Sequence, residues 1–418
     1  MMIPAPIAAS RRRAGRIIPL MLLTLTLMIV AFAVAINANL LWDYREEMQV
    51  ASDSAADAGV GSLIGDDLLR GDPAAMPALL ENARSTAIAF SELNRVQGRP
   101  FPLDPNENND PFGDIVFGTL DTPRGSPLVL PGDTHDPTNA ALPSINTVRI
   151  LARRTRDRGN APGLLFPQFT GIANADIRAA SAATLDRDVI GFRPTNVPLF
   201  LAPLALFSDP TGTDHRSWDY QIGAHNAPDA FRFDFASQTF VAGSDGLNEF
   251  PAALATDPTQ IGTTNVALLS IGVIDMAGRV NQLLNGITTD QLSDFGGQLV
   301  LGPTDNRLTV PGTEQGPAVG SSDLNLLYQT LDQLRQAAAV RIWPLYSGTE
   351  VGTGKPVLCG FVVGRVVTVA FPVLGQPLQF QIQPTMLSVG SAVTDATRLG
   401  VGGIAIVNPY ICKVRFVE

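Results

Sequence analysis

The stretch RRRAGRIIPLMLLTLTLMIVAFAVAINANLLWDYREEMQVASDSAADAG, residues 11–59, contains the longest apolar run in the chain. From residue 17 to residue 36 it carries no formal charge, and Pro19 stands near the start of this run, where a missing N–H costs a helix little. A helix of roughly 20 residues, rising about 1.5 Å per residue, crosses the roughly 30 Å of hydrocarbon in a bilayer. The sequence therefore predicts a transmembrane helix over 17–36.

The charges that flank this run set its expected orientation. Four basic residues precede it: Arg11, Arg12, Arg13 and Arg16. Three acidic residues and one basic residue follow it: Asp43, Glu46, Glu47 and Arg45. Cytoplasmic flanks of membrane helices are enriched in Lys and Arg. We therefore expect a single-pass protein of the inner (cytoplasmic) membrane, with a cytoplasmic tail at 1–16 and the bulk of the chain in the periplasm or an equivalent space.

Two other readings of the same run concern cleavage. Ala31, Ala33 and Ala35 offer Ala-x-Ala sites for removal of a secretory signal peptide, although the apolar core of such a peptide is typically about 7–15 residues and this run is longer. A type IV prepilin would carry a glutamate five residues after a glycine, and after Gly15 that position holds Leu20. The prepilin processing motif is missing, while signal-peptide cleavage stays open.

The helical pattern continues beyond the apolar run. Apolar and small residues recur there at steps of three and four: Leu40, Leu41, Tyr44, Met48, Ala51, Ala55 and Ala58. Acidic residues stand between them, as on the polar side of an amphipathic helix. We expect a helical extension over 37–70, whose alanine-rich face lets another backbone approach closely. That face packs either on the protein's own exported domain or on a partner chain, including a second copy.

The order of a basic cluster, Gly15, Pro19-Leu20, an apolar span and MQVASDSAADAG at 48–59 resembles the N-terminal signature of TadE/TadG-like proteins. These bacterial envelope proteins are associated with assembly of Flp (tight-adherence) pili, and they usually carry a run of the type L-Q-x-A-A-D-A-A-A-L-A-G after one membrane span. The resemblance covers about fifty of the 418 residues. It implies a non-enzymatic membrane protein that contacts pilus-assembly or other envelope proteins.

The resemblance and the polar positions of the span together select candidate residues for helix association. They are Asn37, Asn39, Gln49, Ala51, Asp53, Ala55, Ala56 and Asp57. The family commonly carries an Asp where this chain has Asn37, and a glycine where it has Asn39. A buried amide pair in a membrane contributes only about 0.6–2 kcal/mol, so these amides would adjust an association that packing supplies. Many TadG-like proteins add a von Willebrand A module with a D-x-S-x-S metal motif, and this sequence lacks that string.

Composition agrees with an exported globular protein. A formal charge of -10 argues against nucleic acid as a partner, because phosphate binding needs a concentrated basic surface. Hydrophobic residues at 45%, with 38 Gly and 32 Pro, describe a folded chain rich in turns. The roughly 350 residues beyond residue 70 suffice for one large or two ordinary domains.

The exported part alternates helix and strand patterns. Helices are predicted at 72–99, 276–286, 288–296 and 322–339, and strands at 114–120, 146–154, 175–189, 266–273, 339–347, 356–372, 377–387 and 402–418. The 175–189 segment is a candidate partner for the 146–154 strand, and a proline-rich surface loop is expected at 122–143. The predicted fold class is α+β: a mixed or antiparallel sheet with helices packed on it, divided into a first exported region at 71–207, a loop-rich connection at 208–262 and a C-terminal region at 263–418.

Cys359 and Cys412 are the only cysteines of the sequence. In an oxidising compartment they could form a disulfide, whose loop of about 54 residues would stabilise the fold by roughly 4 kcal/mol. Two buried free thiols are the equal alternative.

A function of another class must be weighed because Asp214, His215, His225 and Asp229 fall within one loop-rich segment. This segment motivates an alternative reading as a membrane-tethered hydrolase or carbohydrate-binding protein. The histidines lack a metal-binding spacing such as H-E-x-x-H, and neither G-x-S-x-G nor a Walker loop occurs in the sequence, so we expect no enzyme, cofactor or metal. A pilin-like filament subunit is a minor further alternative.

Two polar segments have simpler interpretations. The loop at 101–114 places Asp104, Asn106 and Asn108 at alternate positions, but its sixth and twelfth positions do not match a calcium loop, and a turn-forming loop is expected. Four arginines stand at the end of the 146–154 strand pattern or just after it: Arg153, Arg154, Arg156 and Arg158. We expect them at a solvated strand end rather than at a phosphate site.

Overall fold

The computed structural model describes residues 17–121, 126–397 and 407–417. The expected cytoplasmic tail at 1–16, residues 122–125 of the proline-rich loop and residues 398–406 near the C-terminus lie outside the described residues. The described helices are α1 Ile17–Gly61, α2 Asp66–Arg70, α3 Met76–Leu93, α4 Pro167–Thr170, α5 Met276–Asn285 and α6 Ser322–Gln336.

The described strands run from residue 115 to residue 417. They are β1 Ile115–Gly118, β2 Thr147–Arg154, β3 Ile177–Asp186, β4 Val189–Phe192, β5 Leu204–Phe207, β6 Phe231–Asp234, β7 Thr239–Ala242, β8 Phe250–Leu254, β9 Val266–Leu269, β10 Leu299–Val300, β11 Leu308–Thr309, β12 Gly312–Thr313, β13 Val340–Thr349, β14 Pro356–Val369, β15 Leu378–Pro384, β16 Leu387–Ser388, β17 Ala392–Thr394 and β18 Ile411–Val417. The mixture of helices and strands confirms the α+β class.

α1 is one unbroken helix of 45 residues, about 67 Å long at 1.5 Å per residue. The predicted span at 17–36 and its predicted extension therefore form a single rod. The extension ends at Gly61, and the rest of the expected 37–70 helix is a turn followed by the short α2.

The predicted helix at 72–99 is shorter at both ends, because α3 covers only Met76–Leu93. The Asp72 carboxylate accepts a hydrogen bond from the Ala74 N–H at 2.9 Å, and Gly71 just before it has a φ of 63°. At the other end the Asn94 side chain donates to the Phe90 carbonyl at 2.8 Å. Side-chain bonds to nearby backbone compete with helix, and here they set both boundaries.

A first sheet of five strands, in the order β1-β2-β3-β18-β16, packs against α1 and α3. The β2–β3 pair is antiparallel from Thr147↔Thr184 to Arg154↔Ile177, which confirms the predicted pairing of these two segments. β18 comes from the C-terminus and pairs antiparallel with β3. The end of the chain thus returns to the layer in which the chain begins.

The larger sheet closes on itself. Its strands pair in the order β14-β13-β5-β9-β8-β15, and β15 pairs again with β14. The β13–β5 and β8–β9 pairs are parallel and the other pairs of this ring are antiparallel. One apolar core joins the side chains of α5 and α6 to those of the ring strands. A mixed sheet was expected, whereas its closure was not.

The segment expected to be a loop-rich connection, 208–262, contains loops but also three strands. β6 and β7 form a separate hairpin, and β8 is part of the closed ring. β8 alternates buried and exposed positions over only five residues, and Pro251 interrupts its pattern. Such a short segment carries little periodicity by which a sequence can identify a strand.

Candidate functional site: the stem helix and its junction with the domain

The first half of α1 is apolar on every side and exposed on every side. Leu20 is 62% exposed, Met28 57% and Phe32 64%, and the most apolar 18-residue window of the helix has a mean hydropathy of 2.5. Soluble proteins rarely expose a continuous apolar surface of this kind. α1 is long and apolar enough to cross a membrane, and it is the one such helix in the described part of the chain.

The backbone and polar groups of this half fit a helix without water around it. Thr24 and Thr26 donate to the carbonyls of Met21 and Leu22 at 2.9 and 2.8 Å, so both hydroxyls are satisfied within the helix. The helix also runs without a turn through the alanines at 31, 33 and 35. The chain is therefore helical on both sides of the candidate cleavage sites.

The second half of α1 is buried in the protein's own domain. Met48, Ala51, Ala55, Ala56 and Val60 are fully buried in one core with α3 and the first sheet. The alanine-rich face thus packs on the domain, which is one of the two alternatives that the sequence left open. Its three alanines are covered by this chain itself.

Gly59 shows how close this packing is. A Cβ added at Gly59 would lie 3.2 Å from Val148 Cγ1 on β2 and 3.3 Å from Ala87 Cβ on α3. Contacts this short require the neighbours to move, so the glycine that ends the family-like run lets the helix approach the sheet.

Gln49 and Asp53 connect the stem to the sheet. The Gln49 side chain donates to the Asp53 carboxylate at 2.8 Å and to the Ala180 carbonyl on β3 at 3.0 Å. Asp53 is half-buried, whereas Asp57 is exposed. The two aspartates of the family-like run therefore differ: one supports an internal contact and the other faces outward.

Asn37 is 3% exposed because a loop of the domain covers it. Its side-chain oxygen accepts hydrogen bonds from the N–H groups of Leu165 at 3.0 Å and Phe166 at 3.3 Å, and its amide donates to the Phe166 carbonyl at 3.5 Å. The amide expected to contact another helix is thus bound within the chain. Asn39, two residues further on, is exposed.

One face of the stem stays outside the domain. Its exposed residues recur along the helix at Asn39, Trp42, Asp43, Glu46, Val50 and Asp57. The Trp42 indole N–H donates to the Glu46 carboxylate at 2.5 Å. This acidic face is the side of the stem that the domain leaves exposed.

A buried polar cluster connects α2 with the closed ring of the larger sheet. Asp66 on α2 is 6% exposed, accepts a hydrogen bond from Thr385 at 2.7 Å, and lies 3.6 Å from the Arg365 guanidinium. Arg365 also stacks 4.2 Å from the centre of the Phe233 ring. Burial lowers the pKa of Arg365, and the Asp66 carboxylate opposes that shift. Sequence reasoning missed this cluster because its members are about 300 residues apart and have no local pattern.

The four arginines at and after the end of β2 fit the interpretation as a solvated strand end only in part, because Arg153 and Arg154 are partly buried. Arg153 and Arg158 both contact the buried Asp114 carboxylate, at 2.8 and 2.6 Å. Arg154 stacks on Phe101, 5.4 Å from the ring centre. Arg156 pairs with Asp176 at 3.2 Å, and Arg156 and Arg158 are both exposed, as the interpretation expects. Asp114 directly precedes β1, and the antiparallel pairing of β1 with β2 brings its carboxylate to cations that a sequence pattern assigns to solvent.

The polar loop at 101–114 forms turns through its own side chains. Asn106 donates to the carbonyls of Asp110 and Ile115 at 3.0 and 2.7 Å, and Asn109 both donates to and accepts from the backbone of Phe117. Both side-chain amides form hydrogen bonds with nearby backbone groups, as expected for a turn-forming loop.

Both cysteines are free thiols in the structure. Cys359 Sγ lies 3.6 Å from the Leu345 carbonyl, and Cys412 Sγ lies 3.7 Å from the Leu387 carbonyl. Burial raises the pKa of each thiol to about 11. The disulfide alternative is therefore not what the structure contains, and the thiols are poor nucleophiles at neutral pH.

The Asp- and His-containing segment does not converge on one point. Asp214 pairs with Arg216 at 2.7 Å, which lowers the pKa of the Asp214 carboxyl. His215 packs edge to face with Tyr220, with ring centres 4.2 Å apart. His225 instead bonds Asn248 at 3.1 Å. Over the residues that the structure describes, no three His, Cys, Asp or Glu side chains are grouped to hold a metal ion.

No protein-family model matches the chain, and neither a curated protein nor a solved structure matches it. The TadE/TadG resemblance is carried by residues 11–59 alone.

Proposed function

We propose that this protein is a non-enzymatic, single-pass envelope protein of the inner membrane, with a cytoplasmic N-terminus and an exported α+β domain. It acts in the assembly of Flp-type (tight-adherence) pili or of a related secretion or adhesion structure. Its partners are the bilayer and other envelope proteins, and nucleic acid is not among them.

The observation that carries this proposal is the division of α1 into two environments. Large apolar side chains surround its first half and contact little of the protein, while its second half is part of the domain core. A rigid helix of this kind fixes the domain directly to the bilayer, without a flexible linker between them. A rigid attachment of this kind suits a scaffold protein that holds a partner at a defined distance from the membrane.

The family-like run supports the choice of pilus assembly. Part of it is used within the chain, but Asn39 and Asp57 remain on the exposed acidic face of the stem. An exposed charged stripe close to the membrane suits contact with a basic region of another envelope protein.

A gene deletion with complementation tests this proposal. Cells that lack the protein should lose surface pili, and the full-length chain should restore them. Replacing Asp43 and Glu46 by Arg should reduce pilus number without lowering the amount of protein in the membrane. Unchanged pili in the deletion strain would contradict the proposal.

The same strains separate the alternatives. A chain with Asp214, His215 and His225 replaced by Ala should restore pili as the native chain does, whereas a hydrolase that uses this segment would fail. The protein should be found in the inner membrane and not in sheared filaments, because a filament subunit would appear in the sheared fraction.

A further inference from the structure

The loop that covers Asn37 is apolar and uncharged. From residue 159 to residue 175 the sequence GNAPGLLFPQFTGIANA carries no charge. Backbone bonds close its neck: the Leu164 N–H donates to the Ala173 carbonyl at 2.9 Å, and Ala175 donates to Pro162 at 3.1 Å. We call residues 163–174 the foot loop. It is an ordered projection with α4 at its tip.

The foot loop points large apolar side chains away from the domain. Leu165 is 59% exposed, Phe169 40% and Ile172 52%, and Phe166 lies beside Phe169 with ring centres 6.5 Å apart. Three exposed large apolar side chains on one short loop are more than solubility favours.

The position of the foot loop on α1 is fixed by two contacts. Asn37 bonds the backbone of Leu165 and Phe166, and α4 of the foot loop contacts α1. Ala33, one turn before Asn37, is only 4% exposed. Ala33 lies inside the run predicted to cross the bilayer. Trp42, an aromatic residue of the kind that marks the membrane surface, follows Asn37 by about 7.5 Å along the helix axis. The foot loop therefore lies on the membrane side of Trp42.

The surface next to the neck of the foot loop has the opposite character. Arg99 and Arg154 line a cleft of about 420 Å³ together with Tyr44 and residues 159–163. Tyr44 follows Asn37 by about 10 Å along the helix. The apolar side chains of the foot loop lie on the membrane side of these two cations. This order matches that of hydrocarbon and lipid phosphate at a bilayer surface.

We propose that the foot loop inserts into the outer leaflet of the same membrane and gives the domain a second contact with lipid. This inference rests on the proposed anchoring by α1. With two contacts, the helix and the foot loop, the stem and its domain cannot change their tilt freely relative to the bilayer, and the acidic face keeps one orientation relative to the membrane surface.

Spin labels on the full-length protein in vesicles of phosphatidylethanolamine and phosphatidylglycerol test the proposal. Single cysteines are introduced by Leu165→Cys, Ile172→Cys, Ile29→Cys and Val50→Cys, all at exposed positions. Unsubstituted protein, which contains only the two native thiols, is the labelling blank. The measurement is the accessibility of each label to oxygen, which concentrates in lipid, relative to a water-soluble nickel complex.

We expect the oxygen-to-nickel ratio at Leu165 and Ile172 to be several-fold higher than at Val50, which lies about 20 Å beyond Asn37 on the same helix. Ile29 reports the anchor itself. A high ratio at Ile29 with ratios at Leu165 and Ile172 equal to that at Val50 would overturn the foot loop and leave the anchor intact. A low ratio at Ile29 would overturn both. Exclusion of both reagents from Leu165 and Ile172 would show a protein partner or second copy there, and would also overturn the proposal.

Discussion

The two halves of α1 are equally helical and each has an apolar face, yet these faces have opposite surroundings. The half from Ile18 to Phe32 uses large side chains and exposes them. The half from Met48 to Val60 uses alanine and glycine and buries them. In this helix side-chain size, rather than hydrophobicity alone, separates the half that is exposed from the half that packs on the domain. Small residues let backbones meet, while bulky ones fill a fluid hydrocarbon.

The largest effect should come from charging the exposed half. Leu25→Lys combined with Ile29→Lys places two charges in the span, at a cost of about 2.5–3.5 kcal/mol each for insertion. We expect most of the protein to be lost from the carbonate-washed membrane fraction. Val50→Lys combined with Asp57→Lys, on the exposed face of the other half, is the control and should leave membrane retention unchanged. Equal retention of both variants would remove the distinction between the halves.

A smaller effect is expected at the junction below the buried half. Asp66→Ala leaves the Arg365 guanidinium, whose side chain is 11% exposed, without its carboxylate. We expect a loss of about 2–3 kcal/mol in the free energy of unfolding, measured by denaturant titration. Asp67→Ala removes an ion pair with Arg70 at a position 45% exposed and should cost less than about 0.5 kcal/mol. Similar losses in both variants would contradict the role of Asp66 in connecting α2 to the closed ring.

Overfilling the close contact of the buried half should cost no more than the loss of Asp66. Gly59→Leu forces a large side chain between α3 and β2, and we expect a loss of about 1–3 kcal/mol in unfolding free energy. A Cβ at Gly61, two residues later, would meet nothing within 4 Å, so Gly61→Leu is a matched control. If Gly61→Leu destabilised the protein as strongly as Gly59→Leu, crowding would not be the cause.

The smallest effect lies at the boundary between the halves. Asn37→Leu removes the acceptor of the Leu165 and Phe166 N–H groups, at a cost of about 1 kcal/mol that is confined to the foot loop. Hydrogen exchange of these two amides should become faster, while Asn39→Leu should not change it. Asn37→Asp keeps the acceptor oxygens and should preserve most of the protection. Unchanged exchange in Asn37→Leu would show that other contacts hold the loop.

Much of the architecture could be predicted from periodicity. The stem helix, α5, α6 and the β2–β3 pair were all predicted because each has a local pattern of several residues. Helix ends were less accurate, since Asp72 and Asn94 bond the backbone in ways that a stripe of apolar residues does not reveal.

The contacts that complete the fold could not be predicted in this way. β5 pairs with β13 some 140 residues later, and β18 joins a sheet that is built from the first half of the chain. Asp114 meets its arginines, and Asp66 meets Thr385, only after such pairing. The role of Asn37 shows the same limit: a polar residue near a span was assigned to a partner helix, and the structure gives it a loop of the same chain.

The central claim is that the exposed half of α1 stays attached to the domain and remains in the membrane. The intact mass of the protein purified from carbonate-washed membranes tests it most directly. We expect a polypeptide that retains residues 17–36 and leaves the membrane only with detergent. A mature chain that begins after Ala33 or Ala35 and washes off in mild buffer would contradict it.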